Sequence, residues 1–406
     1  MDDLIRSTIH DALAVEPPPA GLRARVIASV PMDRRSAWRR PTPIFRGAGQ
    51  WASGFAAVLL AVAIIAGLLY SRNVAGTQPG GPQKTPHASP ARLISPEGLA
   101  TSPDGSLYVS DFEGDRVYRL QPDGSLVTVA GGGSKHEGPA TQTNISGPAG
   151  LVFDNSGNLY IADNLGGTIR RVDRNGMLTT FASFPGLGFE NGPAGLAFDT
   201  SGVLYVGTFN GDVYAIQPTG SERALDLSVV PPPVVPAYLA FDSVGNLFVA
   251  DRNPQQSGII GGGCRIIRVK PDRSVSVIAG TGVCGYSGDG GPAVDAKLAD
   301  PTSIAFDSAG NLYVADSNNH RIRRIDSRGI ITTVAGTGVG GHTGDGGPAI
   351  KAELGYLPDI LMVQGQFLYI TETCDCAGSA AYGAIRMLRL SDGVITTVAS
   401  SQSPAA

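Results

Sequence analysis

The chain is poor in the residues from which many catalytic and nucleic-acid-binding sites are built. Its 406 residues include 5 His, 4 Cys and 2 Trp, and only 16% are charged. Beyond the first 90 residues the histidines are His136, His320 and His342, all in segments that read as loops. Copper- and zinc-type sites need several such ligands together. No G-x-S-x-G nucleophile elbow occurs. Residues 91–406 hold 21 Lys+Arg against 30 Asp+Glu, a net charge of −9. A segment that acidic does not suit phosphate-backbone binding, so no nucleic-acid partner is expected.

What is plentiful is glycine, 55 residues, which suits many short strands joined by tight turns. One apolar run stands out. Residues 51–70, WASGFAAVLLAVAIIAGLLY, carry no charge. As a helix they would span about 30 Å, the hydrocarbon thickness of a bilayer. Residues 1–50 hold eight Arg, five of them at positions 34–46, while only Arg72 follows closely. The positive-inside rule then places the N-terminus in the cytoplasm and the bulk of the chain outside. The domain reading is a cytoplasmic tail with short helices (1–50), a single transmembrane helix (51–70), a flexible linker (71–90) and one large extracytoplasmic domain (91–400). A tail of that size is too small for a catalytic domain. It leaves room for a cytoplasmic partner or a plain anchor.

The large domain repeats itself. GNLYVADSNNHRIRRID (310–326) nearly copies GNLYIADNLGGTIRRVD (157–173). Leu-aromatic pairs recur at Leu107-Tyr108, Leu159-Tyr160, Leu204-Tyr205, Leu247-Phe248, Leu312-Tyr313 and Leu368-Tyr369. Each follows a Pro-led apolar segment and precedes one or two further alternating runs. Four short strands per copy, repeated about every 40–50 residues, predict an all-β propeller of six blades.

These repeats resemble the NHL family, whose signature is this GNLYVAD…NHRIRRID…ITTVAG phrase; the likeness covers about residues 92–399. VAGTGVCGYSGDGGPA and VAGTGVGGHTGDGGPA also resemble linking loops of bacterial NHL proteins and of the NHL region of teneurin-like proteins. The resemblance implies a binding or scaffolding propeller, with no cofactor.

Comparing the six copies assigns roles to individual residues. The second strands end on Asp111, Asp163, Thr208, Asp251, Asp316 and Glu372. The third strands carry Arg119, Arg171, Ala215, Arg268, Arg324 and, one residue closer to the turn, Arg389. Copy 3 lacks both the acid and the arginine, which predicts that the two side chains answer each other structurally. Asp289 and Asp345, in SGDGGPA and TGDGGPA, invite a calcium reading. Each loop offers one carboxylate where calcium takes several, so tight turns are the better account.

Some six-bladed propellers that resemble gluconolactonase carry an axial divalent metal on a Glu of the first blade and Asn/Asp of others. Glu97, in PEGLA, and Asp359 would be the weak counterparts here, with alanines at the matching places in three other copies. An enzyme is therefore not expected; a membrane-tethered hydrolase or lyase with an axial metal is the alternative.

All four cysteines, Cys264, Cys284, Cys374 and Cys376, follow the apolar run. In an up-and-down blade the loops after strands 2 and 4 share one face, which makes a 264–284 bond plausible. Pairing of Cys374 with Cys376 needs a tight turn. Bonds between copies 4 and 6 stay open. The same face carries the longest variable segments, where function concentrates. Tyr286, His342, Tyr356 and Tyr382 would anchor a partner there, beside Asp289 and Asp345. The expected function is a membrane-anchored, extracytoplasmic binding or sensing module for a protein or glycan ligand.

Overall fold

The computed structural model describes residues 92–187, 191–225, 236–252, 263–374 and 382–401. The expected tail, membrane helix and linker lie outside them. Among the described residues, no helix is long and apolar enough to cross a membrane.

Alternating apolar residues between Gly and Asp turns fold into six antiparallel sheets. Five have four strands in sequence order; the second gains a short outer strand, Gly138–Pro139. Their inner strands are Pro96–Thr101, Pro148–Phe153, Pro193–Phe198, Pro236–Phe241, Pro301–Phe306 and Ile360–Val363. Together these line one central channel of about 390 Å³. The turns between strands 1 and 2 are built alike. Asp154, Asp199, Asp242 and Asp307 each accept a backbone N–H four residues on, fixing the D-x-x-G-x hairpin.

The core lies between blades. Each of the six buried apolar clusters joins two consecutive blades, and the sixth joins blade 6 to blade 1 through Leu99, Val109, Ile385 and Ala399. Leu93 belongs to that last cluster, so residues 92–95 pack at the closing seam without adding a strand to blade 6. Four seams share one aromatic contact. The strand-2 aromatic of one blade meets the Phe that ends the next inner strand: Tyr108–Phe153, Tyr160–Phe198, Tyr205–Phe241 and Phe248–Phe306, all at 4.9–5.1 Å and edge-on. Such pairs contribute about 0.5–1.5 kcal/mol beyond their burial. Met362 and Thr101 hold the Phe position at the last two seams.

The acids that end the second strands face the incoming linker. Asp111 accepts from Ser95 N at 2.7 Å, Asp163 from Ser146 N at 2.8 Å and Asp316 from Ala299 N at 2.6 Å. Their arginine partners correct the expectation from sequence. Asp163 pairs with Arg170, Asp316 with Arg323 and Glu372 with Arg386, while Asp251 pairs with Arg265. Arg119, Arg171, Arg268 and Arg324 are not the partners. Side chains alternate along a strand, so residues next to the pairing position point to the opposite face. There they lie across from Tyr108, Tyr160, Phe248 and Tyr313. Blade 1 keeps its acid but has Tyr118 where blades 2, 5 and 6 have the arginine, so the two do not vary strictly together.

Asp289 and Asp345 complete this arrangement. Asp289 takes Arg323 at 2.7 Å and Asp345 takes Arg386 at 2.7 Å, so each GDGGPA loop is fastened to the blade it enters. Cys264 and Cys284 form a disulfide that ties the strand 2–3 loop of blade 4 to the linker into blade 5. Closing a loop of that length contributes about 3 kcal/mol. Cys376 and the side chain of Cys374 lie outside the described residues.

Breaking a buried ion pair from one side costs about 3–5 kcal/mol. Arg323→Ala is therefore expected to destabilise the propeller by roughly that amount, and Arg324→Ala by clearly less, in urea denaturation followed by circular dichroism.

Candidate functional site

The inner strands of blades 1 to 5 each carry a bulge just after the leading proline. Bulges re-aim side chains and are common beside functional sites. The position preceding the aliphatic residue is Gly98, Gly150, Gly195, Tyr238, Ser303 and Asp359 in blade order. Asp359 thus matches Gly98 and not Glu97, one place away from the alignment read off the sequence. The glycines are required by crowding. A Cβ on Gly98 would lie 2.4 Å from the Ala149 carbonyl oxygen, and one on Gly150 would lie 2.2 Å from that of Ala194. Blades 1 to 3 therefore press together at this level, while blades 4 to 6 supply side chains.

Asp359 is a joint between blades. Its carboxylate accepts from the Ser303 hydroxyl of blade 5 at 2.5 Å, Ile360 N at 2.8 Å and Leu99 N of blade 1 at 2.7 Å. The Thr371 hydroxyl donates to the Glu97 carbonyl at 2.9 Å across the same seam. The Ser110 hydroxyl makes the matching bond to Ala149 O at 2.6 Å between blades 1 and 2.

Glu97 has a different setting. Its carboxyl is half-buried, accepts from the Tyr238 hydroxyl at 3.4 Å and feels the charge of Arg252. Burial nevertheless pushes it up to about 7. Burial also raises Asp359 to about 7, against its three hydrogen bonds. Arg252 forks onto Asp300 at 2.9 and 3.0 Å and donates to the Tyr356 hydroxyl, which itself donates to Asp300 at 3.0 Å. Its guanidinium lies 5.4 Å from the Phe209 ring centre. Burial raises the Tyr238 and Tyr356 hydroxyls well above their usual range, so both keep their protons.

At the start of the inner strands the structure thus gathers Glu97, Tyr238, Arg252, Asp300, Tyr356 and Asp359. Glu97, Asp359 and Tyr356 were candidates from sequence, though not as one group. Tyr238, Arg252 and Asp300 were missed. Tyr238 breaks the Gly pattern of the first three copies, and Arg252 follows a strand-2 acid where the other copies have Phe, Asn, Ser or Thr; both deviations were there to read.

The other candidates lie farther out on the same end. The Tyr286 ring sits 3.9 Å from Arg321 and 4.9 Å from Arg323, and its hydroxyl donates to Asp289 at 2.9 Å. His342 faces Glu372 at 3.4 Å. The side chain of Tyr382 lies outside the described residues. Val283 and Val339, at matching places in the two long linkers, are 57% and 56% exposed. The metal reading is not supported by the donors. Asp359 spends its oxygens on three donors, and among the described residues no three His, Cys, Asp or Glu side chains gather as a metal site.

Six radial sheets around an axial channel, each packed on its neighbours, define a six-bladed propeller. A family model described as the teneurin NHL domain matches residues 189–343. Mouse teneurin-3 is 35% identical over 265 residues, which is 59% of this chain and 8% of the relative, so the chain spans under a tenth of that protein. A structural-genomics protein of unknown function from Bacteroides thetaiotaomicron superposes with a TM-score of 0.53 at 20% identity, covering 72% of this chain and 70% of that one. An auxiliary nutrient binding protein from the same organism gives 0.52 at 14% identity, covering 69% and 67%. The solved structures share the fold. In its repeats, its six blades and the partial family match over residues 189–343, the chain is similar to NHL-repeat propellers.

Two carboxyls whose pKa rises on folding bind protons more tightly in the folded state. The contribution of these two groups to stability is then greatest below about pH 4, falls as pH rises toward 7 and is level above. Glu97→Gln should flatten part of that fall and raise stability at pH 8 by about 1 kcal/mol, a value kept low because the group is partly open to water. Urea titrations at pH 5 and pH 8 check this.

Proposed function

We propose that this protein is a membrane-anchored, extracytoplasmic binding propeller that takes a protein ligand on the end bearing the strand 2–3 loops and the inter-blade linkers. Residues 51–70 serve as the anchor and residues 91–400 as the displayed module. The observation that carries the reading is the paired exposure of Val283 and Val339 on the end of the propeller that also holds the Glu97–Tyr238–Arg252 group. Exposed apolar side chains bordered by polar groups suit a recognition surface, whose core is apolar and whose rim is polar. The linkers that carry them are held rigid by Asp289–Arg323, Asp345–Arg386 and the disulfide. A rigid display lowers the ordering cost of binding.

In the experiment, full-length protein is displayed on its native membrane and crosslinked to extracytoplasmic proteins. Capture is expected with the unaltered chain and to fall about tenfold or more in Val283→Asp/Val339→Asp. Capture from the cytoplasmic side only, or equal capture by the double variant, would sink the reading. A second reading rests on Glu97, a carboxyl near neutrality beside a protonated tyrosine, as in a general acid–base site. Turnover of lactone or cyclic-ester substrates, abolished by Glu97→Gln with folding retained, would favour that hydrolase or lyase over a binding module.

A further inference from the structure

Blade 3 departs from the others in a way the loop-face reading does not use. In blade 2 the cross-strand row on one face is Tyr160–Arg171–Thr179, and in blade 5 it is Tyr313–Arg324–Thr332. In blade 3 the row is Tyr205–Ala215–Arg223. The arginine has moved one strand outward, and the alanine leaves its place empty. The result is a cavity of about 260 Å³ between blades 3 and 4.

The cavity floor is apolar, formed by Leu225, Leu247 and Val269, and its rim carries Arg223, Lys270 and Arg273. None of these three cations makes an ion pair or hydrogen bond among the described residues. The Tyr205 hydroxyl likewise has no hydrogen-bond partner there, whereas those of Tyr160 and Tyr313 reach Asp154 and Asp307. Arg223 and Arg273 both act on that hydroxyl, as does Asp199 with the opposite sign. The Asp199 carboxylate is already engaged by Ser201 N, the Ser201 hydroxyl and Val203 N. Asp272, beside Arg273, accepts from Ser274 N.

We propose that this cavity binds a small organic oxyanion, its carboxylate or phosphate held by Arg223, Lys270 and Arg273 and its body seated on the apolar floor. Forked guanidinium donors suit both head groups. The site lies at the end of the propeller where the strand 1–2 and 3–4 turns gather, opposite the linkers proposed for the protein ligand.

The test is calorimetric titration of the full-length chain, in non-ionic detergent at low salt, with glucuronate, glucose 6-phosphate, glucose and inorganic phosphate. At least one of the two organic anions should bind with one-to-one stoichiometry, more tightly than inorganic phosphate, and glucose should not bind. Arg223→Gln, on an exposed strand, should weaken binding about tenfold. Ala215→Arg, which restores the residue of four other repeats, should abolish it. Tyr286→Ala, at the opposite end, should leave it unchanged. The proposal is overturned if neither organic anion gives a saturable signal, if inorganic phosphate binds as well as both, or if Arg223→Gln binds like the unaltered chain.

Discussion

Burial between adjacent blades is the interaction on which the rest of the molecule depends. No blade has a core of its own; each of the six apolar clusters needs a neighbour on both sides. Such a ring is stable only when the last sheet covers the first, because an open seam would expose Leu99, Val109 and Ile385 together. Polar chemistry then fixes the register that burial alone leaves loose. Asp359 joins blades 5, 6 and 1, and the Thr371 and Ser110 hydroxyls repeat one bond at two seams. Buried Arg323 and Arg386 reach Asp289 and Asp345 and so hold the linkers to the blades they enter. Substituting both partners with apolar residues often costs little, so the pairs read more as specificity than as net stability.

Much of the fold was legible because a propeller blade is written in local code. Strand alternation, the D-x-x-G-x turns and the Leu-aromatic pairs are short-range signals, and copying them six times averages away ambiguity. The acid–arginine tie was half legible. Its acid could be found by position, but the choice between Arg323 and Arg324 depends on which face of the sheet a side chain takes. That is set by the pairing of the third strand with the second, which puts Arg323 across from Val314 on the face of Asp316, and by the incoming loop carrying Asp289.

The axial group was harder to read for a different reason. Glu97, Tyr238, Arg252, Asp300, Tyr356 and Asp359 come from four blades, and no spacing in the chain links them. Only closure of the ring brings them within reach. What the sequence does show is departure from the repeat: Tyr and Asp where three copies have Gly, Arg where others have small or aromatic residues, and Ala215 where four copies have Arg. In a repetitive scaffold, positions that keep the consensus serve the sheet, and those that abandon it are released for other uses.

The two ends of the described propeller leave from one place. Leu93 and Ile94 pass beside Gly383, and Ser401 N bonds to Gly383 O at 2.8 Å, so both chain ends converge on the seam between blades 6 and 1. That seam has Thr101 in place of the ring-on-ring contact present at four others. Tension applied between the two ends is therefore delivered first to one of the two joints that lack this aromatic reinforcement. Under load the circle would part there, unrolling from its own fastening while the remaining five joints stay shielded from force.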